Sequence, residues 1–192
     1  MGFAVAASFT PGPNNIMLAA ASSSHGVRPV LPMLVGIQIG FVAMLVASGF
    51  GLAGLLMQWP LVQSALRWLG IGWLLLLAWK IASAPAPGMD TAERRPVLGL
   101  VGAAFIQLVN PKAWLLCLAV ATSWIARDLP LGRQVLTIGL VFTVVGVCAS
   151  SLWVAIGVGA ARALHTPARL RVFNVVMAVL LVASVLPLAL AR

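Results

Sequence analysis

Acidic residues are nearly missing from this chain: three Asp and Glu stand against twelve Lys and Arg in 192 residues. Asp90, Glu93 and Asp128 all fall in polar connecting stretches, so no carboxylate is placed inside an apolar segment. Charge of either sign makes up 8% of the chain, where a soluble domain carries about 25%. That shortfall excludes an ordinary water-soluble domain. Cysteine is limited to Cys117 and Cys148, each within an apolar run, and both read as small buried hydrophobes. There is no CxxC pair and no His/Cys spacing for a metal, since His25 and His165 lie in loops. No embedded Ser/His/Asp or Glu constellation supplies an enzyme's machinery, and nothing calls for a cofactor. The first eight residues lack the basic start of a secretory signal.

What the chain has is apolar length. It is 62% hydrophobic with a mean hydropathy of +1.09. Six apolar segments can be drawn at 2–23, 31–57, 61–82, 97–122, 131–160 and 169–190. Each reaches the ~20 residues that cross ~30 Å of hydrocarbon. The expected fold is therefore an all-α integral membrane protein with six transmembrane helices, its bilayer the first partner. The net charge of +9 would suggest nucleic acid in a soluble protein, but no basic stripe is interleaved with aromatics. The basic residues lie at segment ends instead, where they meet headgroups and fix orientation.

Two proline-broken polar motifs interrupt this apolar sequence, Thr10-Pro11-Gly12-Pro13-Asn14-Asn15 and Asn110-Pro111-Lys112. Proline removes a backbone donor and clashes with the preceding turn, so each motif breaks its helix. A break at membrane depth survives only where protein or a watery cavity surrounds it. Pro11 and Pro111 are 100 residues apart, and the same shift maps the second segment onto the fifth and the third roughly onto the sixth. The polar stretch 83–96 separates the halves, giving a first repeat at 1–82, a linker and a second repeat at 97–192. Three spans per half turn the second repeat upside down, the inverted plan of many secondary transporters.

The candidate substrate site follows from the breaks. A helix restarting at Pro13 presents its N-terminus, with Asn14 and Asn15, to an anionic group such as a carboxylate. Gln107, Asn110 and Lys112 come from the second break, and Gln38, between Gly36 and Gly40, either faces the same cavity or bonds across a helix pair. Gly36 and Gly40 themselves are read as close-packing positions. An ionisable residue at membrane depth is a functional hypothesis by default, so Lys112 is both a charge partner and the one embedded candidate for carrying a proton. Thr143, Ser150, Ser151 and Asn174 are read as interhelical hydrogen-bonding residues, and Trp114 as a neighbour of the site. Trp59, Trp68, Trp79 and Trp153 are read as interfacial anchors or bundle packing.

Orientation follows the positive-inside rule. Arg28, Lys80, Arg94, Arg95, Arg162, Arg169 and Arg171 fall on one side; Arg67, Arg127, Arg133 and Arg192 fall on the other. Both termini are then outside, with the Arg94-Arg95 loop in the cytoplasm.

Over nearly its whole length the chain resembles the LysE/RhtB family of bacterial amino-acid exporters. The likeness is carried by Thr10-Pro11-Gly12-Pro13-Asn14-Asn15, by Gly26 after the first span and by Asn110-Pro111-Lys112-Ala113. It implies a six-span protein of the bacterial inner (plasma) membrane that exports amino acids or their derivatives on an ion gradient; from the inverted plan, alternating access is expected by rocking of one half against the other. Relatives commonly carry a longer segment before the Thr-Pro-Gly-Pro run, so either the first helix is short or the true start lies upstream of Met1. Many also carry an acidic residue in the second span, where this chain has Gln38 and Phe41. Lacking a buried carboxylate to pair a cationic side chain, the site suits a neutral amino acid. The rival expectations are export of a metal or inorganic ion, and a thiol-redox membrane carrier using Cys117 and Cys148. Oligomeric state stays open, with a homodimer as one option.

Overall fold

The structure is a computed structural model, which describes residues 1–52, 55, 58–84, 97–125, 129–164 and 166–190. Asp90, Glu93, Arg94, Arg95, Arg127, Asp128, His165 and Arg192 lie outside the described residues. Eight α-helices are described: α1 (Gly2–Phe9), α2 (Pro13–His25), α3 (Leu31–Gly49), α4 (Pro60–Ala82), α5 (Leu100–Phe105), α6 (Pro111–Ser123), α7 (Leu131–Ala163) and α8 (Pro167–Leu190). A 3-10 turn, Arg28–Val30, leads into α3, and another, Ile106–Val109, carries α5 to the second break.

Four helices, α3 with its leading turn, α4, α7 and α8, are long and apolar enough to cross a membrane. A fifth span forms if α5, its 3-10 turn and α6 count together, bent by 67° at Asn110. The expected first span at 2–23 becomes two helices of 8 and 13 residues, each too short to cross alone. Proline sets the cut, because Pro11 and Pro13 remove two backbone donors within three residues. The second span ends at Gly49, earlier than the expected 57, where Gly51 turns the chain at φ 101. Gly26, at φ 76, closes α2 in the same left-handed region.

Glycines show how the helices pack. A Cβ on Gly36 would strike the Leu100 carbonyl, and one on Gly40 the Ala104 carbonyl, so α3 and α5 run parallel with their backbones in contact. A Cβ on Gly157 would likewise strike the Ala19 carbonyl and the Ser22 hydroxyl, which seats α7 on α2. Ser22 Oγ donates to the Val154 carbonyl at 3.0 Å, bonding the same pair. In contrast α3 meets α7 through side chains, Gly49 facing Val135 and Gly139 facing Val42, so these two run antiparallel. The outer helices α4 and α8 pack on each other through Ile71, Leu74, Ala78, Met177 and Leu181. Trp59, Trp68 and Trp79 are exposed on the bundle surface, whereas Trp153 is buried within it.

Candidate substrate site

Breaking a helix inside a bilayer leaves carbonyls with no water to bond, each at a cost of several kcal/mol. The last carbonyls of α1 are all accounted for. Ala6 accepts from Thr10 N–H at 3.2 Å, Ala7 from Thr10 Oγ1 at 3.0 Å, and Phe9 from Trp153 Nε1 at 3.3 Å. Asn15 Nδ2 donates to Ser8 O at 2.7 Å and to Thr10 O at 3.1 Å. Lys112, from the other half of the sequence, donates its ammonium to Thr10 O at 3.1 Å and Thr10 Oγ1 at 2.9 Å. The positive charge thus sits against the negative C-terminal end of α1. Gly12 leaves space for it: a Cβ there would lie 2.8 Å from Lys112 Cδ and 2.9 Å from Nζ. Gly12 itself is extended, at φ −169, so its role is room and not conformational freedom.

The second break is closed in the same way. Asn110 caps α6 by accepting from Lys112 N–H at 3.1 Å through its side-chain oxygen. Trp114 Nε1 donates to the Leu108 carbonyl at 2.7 Å. Trp114 therefore serves the break from within an apolar cluster and does not line the cavity, contrary to the expectation from sequence.

Between the breaks lies a knot of three amides. Asn14 Nδ2 donates to Gln107 Oε1 at 2.9 Å, and Gln107 Nε2 donates back to Asn14 Oδ1 at 3.1 Å. Asn110 Nδ2 donates to the same Asn14 oxygen at 3.1 Å. Gln107 is fully buried and also donates to Ala103 O at 3.1 Å.

A cavity of about 60 Å³ opens beside this knot. Of the sequence-predicted residues, Gly12, Pro13, Asn14, Asn15, Gln38, Asn110 and Lys112 line it. Thr10 holds Lys112 from the edge, Gln107 backs the knot, and Pro11 and Pro111 set the breaks without lining the hollow. Both half-helix N-termini, at Pro13 and Pro111, reach this cavity. Asn14 and Asn15 N–H precede the first intrahelical bond of α2, that from Ile16 to Gly12, so they belong to its positive end. No carboxylate is among the lining residues. The Lys112 ammonium and two helix N-termini make the cavity electropositive.

Sequence reasoning missed Ser8, Phe41, Phe142 and Gly146 as lining residues, and it read Ser150 only as helix glue. Ser150 does bond across helices, accepting from Gln38 Nε2 at 3.0 Å, and it also faces the cavity. Gly146 and Ser150, one turn apart, form the small-residue spacing that marks close approach, which was the available signal. Thr143 donates within its own helix to Gly139 O, Ser151 is exposed, and Asn174 Oδ1 has no partner among the described residues, so none of these three glues helices as expected. Cys117 is buried as predicted, but Cys148 is exposed on the apolar surface; both are free.

An all-α bundle of membrane-length helices, broken twice around one polar cavity, is a membrane translocator by architecture. A model of the LysE type translocator family matches residues 5–191, and the chain belongs to that family of transporters, which are not enzymes. It is 30% identical to the cysteine/O-acetylserine efflux protein of Salmonella choleraesuis (strain SC-B67) over 174 residues, 90% of this chain and 87% of the relative. Against the protein of the same name from Klebsiella pneumoniae subsp. pneumoniae the figures are 34% over 155 residues, 77% and 74%. Against that of Escherichia coli (strain K12) they are 28% over 179 residues, 90% and 87%. No solved structure matches the chain.

Proposed function

We propose that this protein exports small neutral amino acids or their simple derivatives across a bacterial plasma membrane by alternating access driven by an ion gradient. One observation carries the reading: two half-helix N-termini and the Lys112 ammonium converge on a polar cavity with no carboxylate in its lining. Such a site attracts a substrate carboxylate and offers nothing to pair a cationic side chain. The named cargoes of the relatives, cysteine and O-acetylserine, fit that description as small zwitterions with uncharged side chains. Lys112 is the embedded group available to exchange a proton, and a bound carboxylate would compete with its release, coupling the two fluxes.

Reciprocal packing supports two inverted three-helix halves. The second span, α3, lies parallel to the first helix of the second half, and α7 is seated on the first helices of the first half. α3 and α7 oppose each other, as equivalent spans of an inverted pair must. A metal-export reading gains no support, since the described residues contain no group of three His, Cys, Asp or Glu.

The test is efflux of a panel of amino acids and O-acetylserine from preloaded cells, with and without the protein, alongside Lys112→Met. Faster efflux of small neutral substrates, impaired in Lys112→Met, is expected. Identical efflux with and without the protein for every solute overturns the reading. Termini outside and the basic loops in the cytoplasm are checked by labelling a terminal tag; reaction only after permeabilisation reverses the orientation.

A further inference from the structure

A second hollow lies at the other end of the bundle, between α2, α4, the start of α5 and α8. It is about 210 Å³, room for on the order of a dozen waters, against about four in the polar cavity. Met17, Met33, Leu77, Leu98 and Ile106 make its walls mostly apolar. Two of the residues that line it, Asn174 and Trp73, each hold a polar atom just behind the wall without a partner among the described residues, Asn174 Oδ1 and Trp73 Nε1. Asn174 is only 3% exposed. Lys80 stands at the mouth with its ammonium 5.9 Å from the Trp73 ring centroid, and Ser24 and His25 lie on the same rim.

The orphans are complementary, one acceptor and one donor. Buried polar groups are normally satisfied, so an unmet donor and acceptor beside one hollow indicate which groups a guest there could bond. A zwitterion satisfies both at once. With the Asn174 amide and the Trp73 indole turned toward the hollow, its ammonium would donate to Asn174 Oδ1 and its carboxylate would accept from Trp73 Nε1–H and face the Lys80 ammonium. The remaining wall then surrounds the side chain and rewards an apolar one. A lipid acyl chain would fill the same walls but leave both orphans unmet.

Position adds a second argument. Met17 follows Asn14 by one helical turn and Ile106 adjoins Gln107, so the two cavities stand back to back across the amide knot. The mouth lies at the end of the bundle carrying His25, Arg28 and Lys80, the side the positive-inside rule assigns to the cytoplasm. An exporter collects its cargo there.

We propose that this hollow is a second substrate site in series with the first, receiving a zwitterionic amino acid with an apolar, uncharged side chain before it passes the amide knot. The site rests on the export reading above and adds to it a cytoplasmic reception step and a side-chain preference. Asn174→Leu and Trp73→Phe each remove one orphan while keeping bulk, so folding is preserved, which thermal denaturation checks.

The experiment measures methionine transport in proteoliposomes from each face. Either variant raises half-saturation from the cytoplasmic face about tenfold or more, the loss expected for one hydrogen bond to a charged group, and leaves half-saturation from the outer face unchanged. Normal transport with unaltered half-saturation on both faces in both variants overturns the second site, including the case of a lipid-filled hollow, and leaves the export reading standing. If the unaltered protein moves no amino acid, the export reading fails, and radiolabelled methionine binding to the purified protein decides the site. Two sites falling to one in Asn174→Leu sustains it; one site or none in the unaltered protein overturns it.

Discussion

Gln107 and Asn14 exchange two reciprocal amide bonds across 93 residues, and a double-mutant cycle reads their coupling directly. Gln107→Leu strips Asn14 Nδ2 of its acceptor. Asn14→Leu leaves Gln107 Oε1 with only the 3.4 Å contact from Asn110. The double variant removes both faces of the pair, so the Asn14 and Gln107 orphans disappear together with the bonds, while Asn110 Nδ2 loses both its acceptors and offsets part of that gain. Interhelical hydrogen bonds in membrane proteins average about 0.6 kcal/mol and reach about 1.7. Two in parallel should couple the residues by about 1–2 kcal/mol, held from the upper end because Asn14 borders the cavity and water can reach it. The assay is reversible unfolding of the purified protein and its three variants in mixed micelles with increasing dodecyl sulfate. The double variant should be about 1–2 kcal/mol more stable than the sum of the single losses. Coupling below about 0.5 kcal/mol, the scatter of independent sites, would mean the knot does not bridge the two breaks.

Lys112→Met should raise the half-saturation for efflux about tenfold or more and abolish its dependence on a pH gradient; undiminished gradient-driven efflux would refute the role given to Lys112. Asn15→Ala leaves the Ser8 carbonyl without its partner and should cost about 1–3 kcal/mol, read as an earlier unfolding midpoint in the same detergent titration. Gly36→Val drives a side chain into the Leu100 backbone and should prevent recovery of folded protein, whereas Gly2→Val, into open space, should not; equal yields would refute the backbone contact. Cys117→Ala combined with Cys148→Ala should keep efflux, and loss of transport without loss of folded protein would restore the thiol-redox alternative.

The two breaks were legible because proline acts locally: it removes a donor wherever the chain places it. Lys112 and Gln38 stood out for a related reason, being polar in apolar surroundings that give no reason for them. The partners of these residues were not legible. Lys112 and Thr10 are 102 positions apart, and nothing in either stretch specifies that the ammonium caps the other half's carbonyl. Asn15 was read as a substrate ligand and does line the cavity, but that its Nδ2 also holds the Ser8 and Thr10 carbonyls was not legible, because that role depends on carbonyls the break itself exposes. Segment ends in apolar sequence were least determined. Composition stays lipid-like past Gly49, and only the left-handed turn at Gly51 ends the helix.

The contacts also differ in how readily they can part. At Gly36, Gly40 and Gly157 backbone touches backbone, and such seats tolerate little sliding. They join α3 to α5 and α7 to α2, each pair drawing one helix from either half of the sequence. Besides the apolar packing of α3 on α7, with Phe41 against Phe142, the two pairs are linked by exchangeable polar bonds: Asn14 to Gln107 and Asn110, Gln38 to Ser150, and Lys112 on Thr10. At about 0.6 kcal/mol apiece these bonds together hold roughly 3 kcal/mol, an amount that a zwitterion replacing them with charge-assisted bonds can offset. On the export reading proposed above, the polar bonds that a substrate can replace lie between the glycine-seated pairs. Those bonds are made by Asn14, Asn110, Gln38, Ser150 and Lys112, which also border the cavity, so on that reading a bound substrate competes for the groups that join the pairs.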